Sequence, residues 1–165
     1  MLQKFKNQKV WLIAVAVLLL QFFAPFFAEI AHAGTLAEVM VRSDRIAAST
    51  ATTGRVCANP ATAATEADVE VVFPAGWTLG AFGTFTVNTT NLDPGQTAWI
   101  GIGTATNVTG QTVTFPSGNL TVGTLYCFNW NNTAAVTTGT AGADQVFTVT
   151  TQTSTPTDID TSSSA

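Results

Sequence analysis

The chain has 165 residues, the size of about one domain, with 10 % charged residues and 46 % apolar residues that crowd into the first thirty positions. Beyond residue 33 it contains no His and no Lys, and three Arg stand against nine acidic residues, for a net charge of −6. These counts disfavour nucleic-acid binding and catalysis by a His base, a His-based triad or a Lys nucleophile, so we expect a non-enzymatic protein without metal or cofactor.

Residues 1–33 have the three-part plan of a secretory signal. Lys4, Lys6 and Lys9 precede an apolar run over 10–27, and Ala31-His32-Ala33 matches the small-x-small pattern of a cleavage site. We predict cleavage after Ala33. Because the apolar run is close to the roughly 20 residues that span a bilayer, a retained membrane-anchor helix is the alternative. In both cases the positive cluster stays on the cytoplasmic side and the remainder is secreted or displayed on the cell surface, with 1–33 as its one membrane contact.

From Gly34 onward, short Thr-, Val- and aromatic-rich runs separated by Gly, Pro, Asn and Asp predict an all-β fold. The first run is ambiguous between a helical stripe and an edge strand, and the strand is favoured by the Val39–Val41 alternation. About eight strands are predicted, at 36–46, 55–59, 68–73, 84–89, 97–102, 111–115, 123–130 and 145–152. Their spacing is typical of an antiparallel β-sandwich.

The stretch 68–73 alternates most clearly. It places Val69, Val71 and Phe73 on one face and Asp68 and Glu70 on the other. Such a pattern is typical of a strand with one buried and one solvated face. Asp68 and Glu70 are therefore expected to be solvated side chains rather than a catalytic or calcium-binding carboxylate pair. Further along, 91–95 (Asn-Leu-Asp-Pro-Gly) predicts a turn.

Two cysteines follow residue 33, Cys57 and Cys127, and an even count in an exported chain most simply predicts one disulfide. Two free buried thiols are the alternative. The strand around Cys127 places Leu125 and Cys127 on one face and an aromatic trio, Tyr126, Phe128 and Trp130, on the other. If the Leu125 face looks into the sandwich, Cys127 meets Cys57 across the two sheets. The aromatic rings then need cover from elsewhere, unless they themselves complete the core.

Three tryptophans, Trp77, Trp99 and Trp130, are the candidate ligand-binding residues. Exposed aromatic rings stack on the apolar faces of sugars and are unusual as free surface groups. We therefore keep an exposed aromatic platform for a carbohydrate or other ligand as the alternative function.

The end of the chain, 153–165, is rich in Ser and Thr with two Asp and one Ile. This composition predicts a disordered tail. The expected organisation is thus a signal peptide or anchor at 1–33, a β-sandwich domain at 34–152 and the tail at 153–165.

A resemblance adds to this interpretation. The stretches 41–50 (VRSDRIAAST), 71–76 (VVFPAG), 97–106 (TAWIGIGTAT) and 113–118 (VTFPSG), together with Leu125-Tyr126-Cys127-Phe128, resemble uncharacterised secreted β-rich proteins of small-genome, uncultured candidate-phylum bacteria. The resemblance covers nearly all of 35–152 and implies an immunoglobulin-like surface module of about seven to eight strands. Tyr126 directly precedes Cys127 rather than standing two residues ahead of it, so the tyrosine corner of true immunoglobulin domains is not matched.

The sequence therefore predicts a non-catalytic structural or adhesive module of the cell surface, in which edge strands pair with further copies or with other surface proteins in a filament or layer. Glycan binding through the three tryptophans is the rival hypothesis.

Overall fold

The structure, a computed structural model, describes residues 33–140 and 145–164. The predicted leader, apart from Ala33, lies outside the described residues, and within them no helix is long and apolar enough to cross a membrane. The described chain is built from β-strands and one 3-10 turn at Phe82–Thr84. The strands are β1 Gly34–Thr35, β2 Glu38–Ser43, β3 Ala51–Thr52, β4 Gly54–Asn59, β5 Asp68–Val72, β6 Thr78–Leu79, β7 Val87–Asn88, β8 Thr97–Ala98, β9 Asn107–Thr109, β10 Thr112–Pro116, β11 Tyr126–Trp130, β12 Val136–Thr137, β13 Phe147–Gln152 and β14 Asp158–Ser164.

The strands form three sheets. The first has the order β1-β14-β13-β5-β10-β9, and the second has the order β2-β4-β11-β7, with β8 also pairing β11. A small third sheet joins β3, β12 and β6. Neighbouring strands are antiparallel except β1 beside β14 and β8 beside β11. The prediction of an all-β, sandwich-like fold is confirmed.

The core lies between the first two sheets and follows the alternation of their strands. Val69, Val71 and Phe73 are buried, as the pattern over 68–73 predicts. Val113 and Phe115 of β10 extend the same surface, because β10 lies antiparallel beside β5. Side chains of β4 and β11 join the same core cluster. Phe73 packs edge-on against the rings of both Trp130 and Phe147, and such edge-on pairs stabilise a core beyond the apolar area that they bury.

The face of β11 that points into the core is not the face that carries Cys127. A disulfide across the two sheets would have required the Cys127 face to point inward. Tyr126, Phe128 and Trp130 are buried in the core cluster and thereby complete it. Cys57 and Cys127 lie directly opposite each other on the neighbouring strands β4 and β11, with 4.1 Å between their Cα atoms. The disulfide is confirmed, but its expected position between the sheets is wrong, since it joins two strands of one sheet.

The tail prediction is also wrong: 158–164 form β14, which pairs along its length with β13. Hydroxyl groups on the two strands hydrogen-bond across the pair, at 2.9 Å between Thr150 and Thr161. Ile159 and Asp160 are buried. The Asp160 carboxylate accepts hydrogen bonds from the backbone N–H groups of Ala61 and Thr62 at 2.8 and 2.9 Å. Specific polar bonds therefore hold this strand, together with the burial of its one isoleucine.

Candidate functional site: a polar cleft around Arg55

A polar cleft of about 270 Å³ opens on the second sheet, where β2 ends and β4 begins. It lies beside the face of β4 and β11 that carries the disulfide, because Arg55 and Asn129 share their strand faces with Cys57 and Cys127. Ten residues line it: Arg42, Asp44, Thr53, Arg55, Asn88, Thr90, Asn91, Asn129, Trp130 and Asn131. We refer to it as the Arg55 cleft.

Arg55 forms the base of the cleft and is 6 % exposed. Its Nε donates to Asn129 Oδ1 at 2.8 Å, and its Nη2 donates to the carbonyl oxygen of Asn91 at 2.6 Å. Its Nη1 donates to Asp93 Oδ2 at 2.6 Å and to Gln96 Oε1 at 2.8 Å. Three of these partners lie at 91–96, so the guanidinium fastens the predicted turn onto the sheet. The guanidinium uses four of its five N–H groups within the fold, so its role is mainly structural.

Asparagine side chains form the inner wall. Asn129 donates from Nδ2 to Asn88 Oδ1 at 3.2 Å and to the carbonyl oxygen of Thr90 at 2.9 Å. Asn88 Oδ1 also accepts from the Thr90 backbone N–H at 3.2 Å, which fixes this atom as the oxygen. The amide oxygens of Asn88 and Asn129 are therefore used inside the fold. Asn88 Nδ2 makes no hydrogen bond with the described part of the chain.

The rim of the cleft carries three polar side chains of different kinds. Arg42, at the end of β2, is exposed and makes neither an ion pair nor a side-chain hydrogen bond with any described residue. Asn131 accepts from the Thr86 hydroxyl through Oδ1 at 2.7 Å, which leaves its Nδ2 directed elsewhere. Asp44 accepts from the Thr53 hydroxyl through one oxygen. The cleft thus offers several free donors beside one carboxylate.

The three tryptophans do not form an exposed platform. Trp77, Trp99 and Trp130 are 7 %, 3 % and 1 % exposed. Trp99 donates to Ser117 Oγ at 2.9 Å and Trp130 to the carbonyl oxygen of Thr52 at 3.3 Å, so the indole N–H groups are satisfied inside the protein. The expected exposure is wrong because the rings pack against other aromatic rings, as Trp99 does against Phe128 with 5.4 Å between centroids.

A second cavity, of about 440 Å³, lies against Trp77 and Phe147 and extends to Ile46, which is 89 % exposed. Thr140 and Gln145 in its wall flank a stretch outside the described residues, so we assign no role to it. Among the described residues, no group of three His, Cys, Asp or Glu side chains is placed to hold a metal ion.

Sequence reasoning missed the Arg55 cleft. Arg55 is one of three cations beyond residue 33, and on its strand it is followed directly by the small or apolar residues 56–58. An Arg in such a strand needs partners, and that was the available signal. The partners themselves lie 36 to 74 residues away along the chain, and no local pattern connects them.

Comparisons of the chain with protein-family models, with curated proteins and with solved structures give no significant match. Its function must therefore be argued from its own geometry.

Proposed function

We propose that the protein is an exported, non-catalytic module that associates with further copies or with other surface proteins through a sheet edge, as a subunit of a surface layer or filament. The observation that carries this proposal is the unpaired edge of β2. This strand is six residues long and is the last in the order of the second sheet.

The hydrogen-bond pattern shows which groups of β2 are available. The Asp44 N–H donates to Thr53 O at 2.9 Å, and the register continues in steps of one from Ser43 opposite Gly54. Antiparallel pairs alternate between bonded and non-bonded positions. The N–H and C=O groups of Val39, Val41 and Ser43 therefore point away from β4. No described strand pairs with that side of β2.

An edge of this kind is a template for strand addition. β2 contains no proline, and its six residues pair with β4 without a register shift, so it is a regular strand. Val39 and Val41 pack against the core and fix the pleat of the strand. An added strand would therefore meet the N–H and C=O groups of three residues that already have strand geometry. The main entropic cost of pairing would be the ordering of the added strand itself.

The immunoglobulin-like form of the sandwich belongs to the same proposal. The N-terminal part of the fold is divided between the two sheets, since β1 lies parallel beside β14 and β2 lies antiparallel beside β4. This division supports an immunoglobulin-like arrangement. The disulfide inside one sheet departs from it, because the bridge of antibody domains joins the two sheets.

The test compares Val41→Pro with Val41→Ala in the exported protein. Proline removes the outward N–H without removing a bond to β4, whereas alanine shortens the same side chain and keeps that N–H. We expect sedimentation and electron microscopy to show assemblies for the parent and for Val41→Ala, and monomers for Val41→Pro. Monomers of the parent at every concentration, with no capture by other surface proteins, would contradict the proposal.

Export itself is tested by the intact mass of the processed protein. Cleavage after Ala33 predicts a chain that begins at Gly34. The disulfide predicts that reduction makes this chain heavier by two hydrogen atoms. A mass that includes residues 1–33 would instead support the anchor.

A further inference from the structure

We infer that the Arg55 cleft is a binding site for an acidic saccharide, one that presents a carboxylate beside ring hydroxyl groups. The site goes beyond edge-strand association, and it uses side chains different from the three tryptophans.

The first argument is the balance of donors and acceptors. The acceptor oxygens of Asn88 and Asn129 are taken up by neighbouring groups of the fold. The free hydrogen-bonding capacity of the cleft is therefore mainly donor capacity. It comes from the guanidinium of Arg42 and from the Nδ2 groups of Asn88 and Asn131, none of which donates to a described residue. Several donors beside one carboxylate are suited to a ligand that is rich in oxygen and also carries hydroxyl groups.

The second argument is rigidity. Asn88 is fixed by a backbone N–H and by Asn129, and Asn129 is fixed in turn by the buried Arg55. The free donor of the inner wall, Asn88 Nδ2, is therefore held in place before a ligand arrives, so binding would cost little side-chain ordering there. Of the three donor side chains, Arg42 and Asn131 are the exposed ones.

The third argument separates a saccharide from a simple anion. Asp44 lines the same cleft, and a sulfate or a fully ionised phosphate has no proton to donate to its carboxylate. A sugar hydroxyl can donate to Asp44 while its neighbour accepts from an amide. A carboxylate on the sugar would meet Arg42, whose planar fork matches that group.

The test measures binding of a galacturonate trisaccharide to the exported protein by titration calorimetry, with the neutral galactose trisaccharide and acetate as matched probes. We expect saturable binding of the acidic trisaccharide and binding at least about tenfold weaker for the other two. Arg42→Gln should weaken the affinity about tenfold or more, as expected for the loss of a charge-assisted bond. Asn131→Asp, which replaces a donor by an acceptor in the same shape, should also weaken it.

The matched control is Arg45→Gln, which removes the same charge from an exposed position that does not line the cleft. Its affinity should remain within about twofold of the parent, since an exposed charge that does not line the cleft makes no direct bond to the ligand. The inference is overturned if the acidic trisaccharide does not bind, if the neutral trisaccharide or acetate binds as well, or if Arg45→Gln weakens binding as much as Arg42→Gln.

Discussion

Arg55 shows how a charge can be buried on the face of the second sheet that points away from the core. Its guanidinium is buried, yet every nitrogen has an acceptor, and the one carboxylate among them, on Asp93, is 56 % exposed. The ion pair therefore contributes less than a fully buried one, and most of the stabilisation comes from the hydrogen bonds.

Replacing Arg55 by methionine removes these bonds while keeping much of the length of the side chain. Asn129 Oδ1 and the Asn91 carbonyl then lose their donors, and the turn at 91–96 loses its attachment. We expect the free energy of unfolding to fall by about 2–4 kcal/mol, measured by urea denaturation.

Two variants serve as controls for that measurement. Arg45→Met removes an exposed Arg and should change stability by no more than about 0.5 kcal/mol. Arg55→Lys keeps the charge, but a single ammonium cannot reach four separate acceptors, so it should recover only part of the loss. An Arg55→Met protein as stable as the parent would show that the network is not needed for the fold.

At the scale of elements, β14 is held by the bonds of Asp160 in addition to its pairing with β13. The carboxylate is fully buried and bonds Ala61, Thr62 and the Thr62 hydroxyl, which places the loop after β4 against β14. An alanine Cβ at Gly34 on β1 would overlap both the carboxylate and that hydroxyl. Three segments that are distant in sequence therefore meet at one side chain.

Asp160→Ala should accordingly destabilise the protein by about 2–4 kcal/mol, because two backbone N–H groups are left without acceptors in a buried site. Asp160→Asn keeps one acceptor oxygen and should cost less. Thermal unfolding of both variants checks the order. Equal losses would indicate that the charge, rather than the hydrogen bonds, matters at this position.

The disulfide is the other device that acts between elements. It closes a loop of 70 residues, and the chain-entropy estimate for such a loop is about 4 kcal/mol. We expect reduction of the parent to lower the denaturant midpoint strongly. The variant with both Cys57→Ala and Cys127→Ala should show the lowered midpoint with or without reductant. An unchanged midpoint in the reduced parent would contradict this expectation.

Strand prediction succeeds where apolar and polar residues alternate strictly, as at 68–73. It fails where a few hydrogen bonds to distant parts of the chain determine whether a segment forms a strand. The composition of β14 predicts disorder because its Ser and Thr have little apolar area to bury, and their partners on β13 cannot be inferred from composition. The sequence likewise does not determine which face of β11 points to the core, because both of its faces are apolar. The Arg55 cleft escapes prediction for the same reason, since its side chains come from separate stretches of chain.

At the scale of the whole sandwich, the charges are unevenly distributed. β2 starts at Glu38, opposite Asn59 at the end of β4, and Arg42 is its penultimate residue. In the first sheet, Asp68 and Asp158 both lie opposite Gln152, at the end near Asp160. The bonds from Asp160 to the loop after β4 join the two sheets at that end. Arg42 and Arg45 lie at the opposite end, with Asp44 between them in sequence. One end is thus rich in carboxylates and the other carries the exposed arginines.

Opposite ends of unlike charge favour head-to-tail contacts between copies, which extend into open chains rather than closing as a dimer. Two or three exposed ion pairs are worth on the order of 1 kcal/mol, so raising the salt from about 0.05 to 0.5 M should weaken association by roughly tenfold.

Reversing the charges of one end alone should also weaken self-association. The acidic end is reversed by Glu38→Lys with Asp158→Lys, and the basic end by Arg42→Glu with Arg45→Glu. An equimolar mixture of the two reversed proteins should associate again, because each altered end then meets its complement. Light scattering across a salt series measures association of the parent, of each reversed protein and of their mixture. If neither salt nor charge reversal changes the association, the charged ends do not contribute to it and the β2 edge remains as its basis.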